Sequence, residues 1–140
     1  YPAHKNHRLF TAKLNHFYLA HRALWQRDMS WSGFTWLAAD QKETNTIAYC
    51  RRGAGGAALL IAVNFSPVCR PSYPIKTLGT KPVQVVFHTD DLAFGGKTDV
   101  QKIGTLVPRR FGKGKEHYVT LDLPGFCAVI LEAQPPQLSL

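Results

Sequence analysis

Cysteine is scarce in this sequence, and long apolar runs are missing. The cysteines, Cys50, Cys69 and Cys127, are odd in number, widely spaced and without a CxxC pair, which argues against a disulfide framework and a zinc site. Free thiols inside apolar strand patterns favour a reducing, cytoplasmic setting. No apolar run approaches the roughly 20 residues that a membrane helix needs, and no signal-peptide pattern opens the chain. We therefore expect neither a membrane protein nor a secreted one.

Acidic residues are also few, with 9 against 17 lysines and arginines, so the formal net charge is +8. A charge of that size attracts polyanions. The only dense basic run, residues 109–115, contains a single aromatic residue, Phe111. Without a recognisable binding module, nucleic acid is the least favoured partner, and a basic nucleic-acid-binding β domain is kept as a third alternative.

Sequence signals for catalysis are missing as well. Most of the nine carboxylates fall in predicted turns, where aspartate usually bonds to the backbone. Asp90 and Asp91 are neighbours in sequence, which does not make a pair that faces across a pocket. The histidines share no neighbourhood with a cysteine pair, and no Walker loop, GxGxxG motif or Ser/His/Asp setting is present. The sequence predicts no catalytic residue, no metal site and no cofactor.

The most informative stretch that is present is the apolar run 57–67, which lies between a glycine-rich turn and a proline-rich segment. Its length and β-branched residues predict a central strand buried on both faces. A hairpin joins it to strand 46–52 through residues 53–56. Further strands are predicted at 33–37, 83–88, 117–123 and 126–132. A short edge strand is predicted at 72–75, a long loop at 92–116 and a tail at 134–140. Short strands separated by turn signals predict an antiparallel β-sandwich.

The first part of the chain differs, because its apolar residues recur in steps of three and four. They are Phe10, Leu14, Phe17, Tyr18, His21, Leu24 and Trp25. This spacing predicts one amphipathic helix of about five turns over residues 4–25. Its stripe is too rich in large aromatic residues for a helix exposed to water, so we expect it to dock on another surface.

Aromatic residues cluster where this helix should meet the first strand: Trp25, Trp31, Phe34 and Trp36. Phe34 and Trp36 are two residues apart on a strand and therefore face one side. Large side chains that fill a helix–sheet junction are the simpler explanation. The functional alternative is a surface on which sugar rings stack.

Several motifs resemble, in order and spacing, the C-terminal region of bacterial 1,4-α-glucan (glycogen) branching enzymes of the α-amylase family. The matching segments are 24–28, 33–36, 39–40, 51–52, 64–68, 89–90, 95–96 and 121–124. The resemblance covers most of the chain and is weakest over 97–115. His88 departs from it, because the family usually has asparagine there.

The resemblance implies a part of an enzyme that cuts an α-1,4-glucan and transfers the segment to make an α-1,6 branch. Residues 1–27 would be the final helix of a (β/α)8 barrel and its connection, and residues 28–140 the C-terminal all-β sandwich domain. The resemblance implies that the catalytic carboxylates lie on strands of the barrel. A barrel needs about 250 residues, more than this chain has. The carboxylates would therefore lie upstream, and the chain alone should be inactive. The implied partner is the barrel. An α-glucan is the second expected partner, and the residues of the aromatic cluster that we expect to contact it are Trp31, Phe34 and Trp36. An autonomous carbohydrate-binding module with exposed, coplanar rings is the alternative.

Overall fold

The structure, a computed structural model, describes residues 1–133. The helices and strands are α1 (Pro2–Ala20), β1 (Phe34–Ala38), β2 (Thr46–Arg52), β3 (Ala58–Asn64), β4 (Arg70–Lys76), β5 (Val83–His88), α2 (Val100–Ile103), β6 (Arg109–Arg110), β7 (His117–Leu123) and β8 (Cys127–Ala133). Short 3₁₀ turns lie at Arg22–Leu24, Trp31–Gly33, Ala54–Gly56 and Leu92–Phe94. The predicted tail 134–140 lies outside the described residues. Among residues 1–133, no helix has the length and apolarity needed to cross a membrane.

Two antiparallel sheets form a sandwich, as the strand pattern predicts. One sheet has five strands in the order β1-β2-β3-β8-β5, and the other has three in the order β4-β7-β6. The predicted hairpin is confirmed, since β2 pairs with β3 from Thr46–Asn64 to Arg52–Ala58. The predicted edge strand at 72–75 is also present, as part of β4 at the edge of the three-stranded sheet.

Strand β3 is buried on both faces, which confirms the main prediction from the sequence. Because side chains alternate along a strand, Leu60 and Ala62 enter the core between the sheets, while Leu59 and Ile61 face the other way. The neighbouring strand β8 follows the same pattern, with Leu131 in the inner core and Ile130 on the outer face. The continuous apolar run of 57–67 thus reflects two separate cores.

Helix α1 covers part of the outer face of the five-stranded sheet. Phe17 is its buried residue, with the Phe17 and Phe87 rings 5.3 Å apart, and Phe10 lies 5.9 Å from the same ring. The stripe of α1 therefore has a surface within this chain on which to dock. Leu19, by contrast, is 70% exposed.

The helix ends at Ala20, and the prediction that it continues to residue 25 is wrong. His21 has extended backbone angles (φ −115°, ψ 94°), and the chain then turns so that Ala23 is buried beneath it. The Trp25 indole N–H donates to the carbonyl of Tyr18, in the last turn of the helix, at 2.9 Å, and the His21 N–H donates to the same carbonyl. Apolar spacing alone does not reveal this stop, because the residues beyond it continue to pack on the sheet.

The predicted long loop 92–116 contains regular structure, including α2 and β6. Aspartates organise it: Asp91 accepts from the Ala93 N–H at 3.0 Å, and Asp99 accepts from the Gln101 N–H at 3.2 Å. Asp90 accepts from the Thr98 hydroxyl at 2.7 Å. These elements are too short to give a periodic pattern, which is why the sequence did not predict them.

Candidate functional site

The three residues predicted to contact a glucan come together on one surface. Trp31 begins a short 3₁₀ turn, which the Ser30 hydroxyl caps by accepting from the Ser32 N–H at 3.1 Å. Phe34 and Trp36 follow in β1, and both rings lie against Tyr49 of β2, with centroid distances of 5.3 and 6.1 Å. We use the name aromatic cleft for the surface formed by Trp31, Phe34 and Trp36 together with Asp28, Met29, Ser30 and Arg51.

The rings of the aromatic cleft meet edge to face. Trp31 and Phe34 lie 6.5 Å apart at 72°, and Phe34 and Trp36 lie 4.9 Å apart at 87°. Such pairs are favourable because a ring edge is positive and a ring face negative. The result is a cleft of about 490 Å³ with angled walls. It is not a platform of coplanar rings.

Both tryptophans are open to solvent, at 85% for Trp31 and 52% for Trp36, whereas Phe34 is half-buried. Within residues 1–133, then, these two side chains do not fill the helix–sheet junction, the explanation that the sequence favoured. Trp25, the fourth member of the predicted cluster, is not part of the cleft. Adjacent exposed aromatic residues are typical of a contact surface.

An ion pair between Asp28 and Arg51 fixes the wall of the cleft. The Arg51 guanidinium also donates to the Leu24 carbonyl at 3.2 Å, so it ties the segment after α1 to β2. Both residues lie in motifs that carry the resemblance, but the sequence assigned neither a role. They are 23 residues apart, and no spacing rule could have paired them.

The aromatic cleft contains few polar groups among its lining residues. Its polar groups are the Ser30 hydroxyl and the paired Asp28 and Arg51. Burial raises the pKa of the neighbouring Tyr49 phenol, an effect that Arg51 opposes, so this ring stays neutral at physiological pH. Among residues 1–133, no three His, Cys, Asp or Glu side chains are grouped so that they could hold a metal ion.

Comparison with known proteins adds a family and a set of relatives. Residues 36–134 match the model of the alpha amylase C-terminal all-beta domain. A 1,4-alpha-glucan branching enzyme GlgB of Nitrosomonas eutropha is 30% identical over 129 residues, covering 91% of this chain and 18% of the relative. The 1,4-alpha-glucan branching enzyme GlgB of Francisella tularensis subsp. tularensis is 30% identical, and the match covers 94% of this chain and 21% of the relative. The GlgB 1 enzyme of Streptomyces avermitilis is 35% identical, and the match covers 88% of this chain and 15% of the relative.

The chain therefore spans about a fifth or less of the length of these relatives. The family match covers both sheets of the sandwich, from Trp36 in β1 to the end of β8. The chain belongs to the alpha-amylase C-terminal all-beta domain family.

Proposed function

We propose that this chain is the C-terminal domain of a 1,4-α-glucan branching enzyme that acts in the cytoplasm in glycogen biosynthesis. One observation supports this most strongly: the match to such an enzyme covers 91% of this chain but only 18% of the relative. In this proposal the parent enzyme cuts α-1,4-glucan segments and joins them through α-1,6 bonds. The present domain contributes structure and contacts to the glucan.

The catalytic carboxylates belong elsewhere in that enzyme. Among residues 1–133, Asp28 is the only carboxylate that lines the aromatic cleft, and it is paired with Arg51. Two carboxyl groups that face each other across a sugar are needed for the chemistry of glycoside cleavage. The chain alone should therefore have no branching activity.

The barrel of the parent enzyme is the proposed partner, with residues 1–27 as its last helix and connection and residues 28–140 as the sandwich. In support, α1 uses one side to pack on the five-stranded sheet and leaves other apolar side chains uncovered. Leu19 is 70% exposed, Tyr18 43% and Leu9 40%. A barrel seated against α1 would cover such residues.

A glucan chain is the proposed ligand of the aromatic cleft. Aromatic faces offer apolar area to the C–H faces of sugar rings, and the polar edges of the cleft can reach hydroxyl groups. Trp31, Phe34 and Trp36 are the contact residues in this proposal. Their edge-to-face angles suit a curved α-1,4-linked chain better than a flat polymer surface, which would need coplanar rings.

The second candidate is an autonomous carbohydrate-binding module, and the exposure of Trp31 and Trp36 favours it. The lack of coplanarity between neighbouring rings counts against it. Each residue of the basic run 109–115 is exposed, so a nucleic-acid-binding domain must be tested as well. Nucleic-acid binding and glucan binding differ in their dependence on salt, because contacts to phosphates weaken steeply as the salt concentration rises.

Native gel electrophoresis with and without glycogen, at two salt concentrations, tests the proposal. We expect glycogen to retard the chain equally at the two salt concentrations. We expect the double variant Trp31→Ala/Trp36→Ala to lose at least about tenfold in affinity for glycogen. The matched control is Phe111→Ala, which removes an exposed ring directly after β6, away from the aromatic cleft.

Retardation that persists in the tryptophan variant would contradict the assignment of the aromatic cleft. Retardation by DNA that disappears at high salt, without any by glycogen, would support the nucleic-acid alternative. A parallel assay with the whole branching enzyme separates the two glucan-binding roles, because an autonomous module would bind equally well without the barrel.

A further inference from the structure

Phe126 has an unusual backbone for a large residue. Its φ is 52°, in the left-handed region that glycine favours, and its ring is 72% exposed. A bulky side chain is rarely found there, and such strain persists only where the surroundings hold it in place. Burial of the ring cannot be the compensation, because the ring faces solvent.

The turn that carries Phe126 is pressed against a second turn. A side chain at Gly125 would place its Cβ 2.2 Å from the Pro67 carbonyl oxygen, so only glycine allows this approach. The Phe126 N–H donates to the Ser66 carbonyl at 2.9 Å. The two turns therefore form one unit.

A buried amide holds this unit together. The Asn64 side chain is 1% exposed, and its Nδ2 donates towards the carbonyls of Val68, Leu123 and Pro124 at 2.9 to 3.1 Å. Its Oδ1 accepts from the Ser66 N–H at 2.9 Å. A fully used amide at the base of both turns explains how the strained, exposed ring is fixed in position.

Phe126 lies at the rim of a cavity of about 430 Å³ at the N-terminal end of α1. Asn6, His7, Asp90 and Phe94 line it too. Asp90 uses Oδ2 to accept from Thr98, and within residues 1–133 no hydrogen bond occupies its Oδ1. The cavity thus combines rings with planar polar groups, the mixture that sugar hydroxyls and C–H faces require.

We propose that this cavity is a second saccharide subsite that binds an α-linked gluco-oligosaccharide, with a sugar ring against Phe126 and its hydroxyls on Asp90, Asn6 and His7. The ligand class rests on the proposed function, whereas the site itself rests on the geometry. It shares no residue with the aromatic cleft. The 19 residues of α1 span about 28 Å, and the aromatic cleft lies beyond the other end of that helix.

NMR titration of the isotope-labelled chain with maltoheptaose tests this subsite. We expect amide shifts at residues 6–7, 90–95 and 125–126, in addition to any at the aromatic cleft. Phe126→Gly should weaken the binding reported by these signals about tenfold, because it removes one aromatic contact. Glycine suits the left-handed backbone, so this variant keeps the fold. His7→Ala, at an exposed helix position, should weaken the same binding to a smaller extent.

Phe65→Ala is the matched control, since Phe65 is 58% exposed on the neighbouring turn and does not line the cavity. The inference is overturned if these amides do not shift, if Phe126→Gly binds like the unaltered chain, or if Phe65→Ala weakens binding equally. Trp31→Ala/Trp36→Ala separates the two proposals. Shifts that persist at the cavity in that variant support the subsite even if the aromatic cleft binds no glucan.

Discussion

The two faces of the five-stranded sheet are closed to different degrees. The inner face is sealed by the three-stranded sheet, and Val129 and Leu131 there have no exposed surface. The outer face is covered in part by α1 and the segment that follows it, and Leu14 and Tyr18 remain 36% and 43% exposed over a groove of about 440 Å³. The difference indicates that the inner face contributes most of the stability of the sandwich, while the outer face keeps apolar side chains exposed to solvent.

A substitution on the inner face should cause the largest loss in the free energy of unfolding. Leu131→Ala removes a fully buried side chain and leaves a cavity that the two sheets cannot close, so we expect a loss of about 2–5 kcal/mol in the free energy of unfolding. Urea unfolding followed by tryptophan fluorescence measures it. Leu19→Ala, at a largely exposed position of α1, is the control and should change stability by less than about 0.5 kcal/mol.

The outer face should give an intermediate effect. Phe17→Ala removes the buried anchor of α1, whose ring stacks on His21 and lies near Phe87. Water can enter the open groove, so we expect a loss of about 1–3 kcal/mol, less than for Leu131→Ala. Hydrogen exchange should show that the amides of α1 lose protection while those of β3 and β8 keep theirs. Equal losses for the two variants would break the distinction between the faces.

The smallest effect concerns a polar residue on the inner face. His88 is buried opposite Val129, its Nδ1 accepts from the Asp90 N–H at 3.0 Å, and its Nε2 has no hydrogen-bond partner among residues 1–133. Burial lowers the pKa of His88, an effect that the Asp90 and Asp91 carboxylates oppose. The unfolded chain therefore binds a proton more readily than the folded one.

Stability should consequently fall as the pH drops from about 7 through the ordinary histidine value near 6.5, and level off below the lowered pKa. The slope from one proton is at most about 1.4 kcal/mol per pH unit. Urea unfolding at a series of pH values should give a flatter profile for His88→Gln than for the unaltered chain. His16→Gln, on the exposed surface of α1, serves as the control. Identical profiles for both variants would exclude His88 as the origin.

The sequence predicts most of the sandwich, because β3, β7 and β8 carry long apolar or alternating patterns that a local reading detects. The place where α1 ends depends on how Ala23 packs on the sheet, which no local pattern encodes. The assembly of Trp31, Phe34 and Trp36 follows from their closeness in sequence, and their role in glucan binding stays a prediction. The Asp28–Arg51 pair and the contacts of Asn64 with Leu123 and Pro124 join distant segments. These contacts had no signal in the sequence.

The position of β8 has a consequence for synthesis of the protein. The sheet order places β8 between β3 and β5, and it pairs Leu59 with Glu132 across most of the chain. On the ribosome, β3 therefore has an unpaired edge until β8 has been translated. Closing so long a loop is slow, and the exposed edge invites association with other nascent chains in the meantime. The domain should acquire its fold only after translation has passed residue 133, so premature termination before β8 would yield an aggregating product.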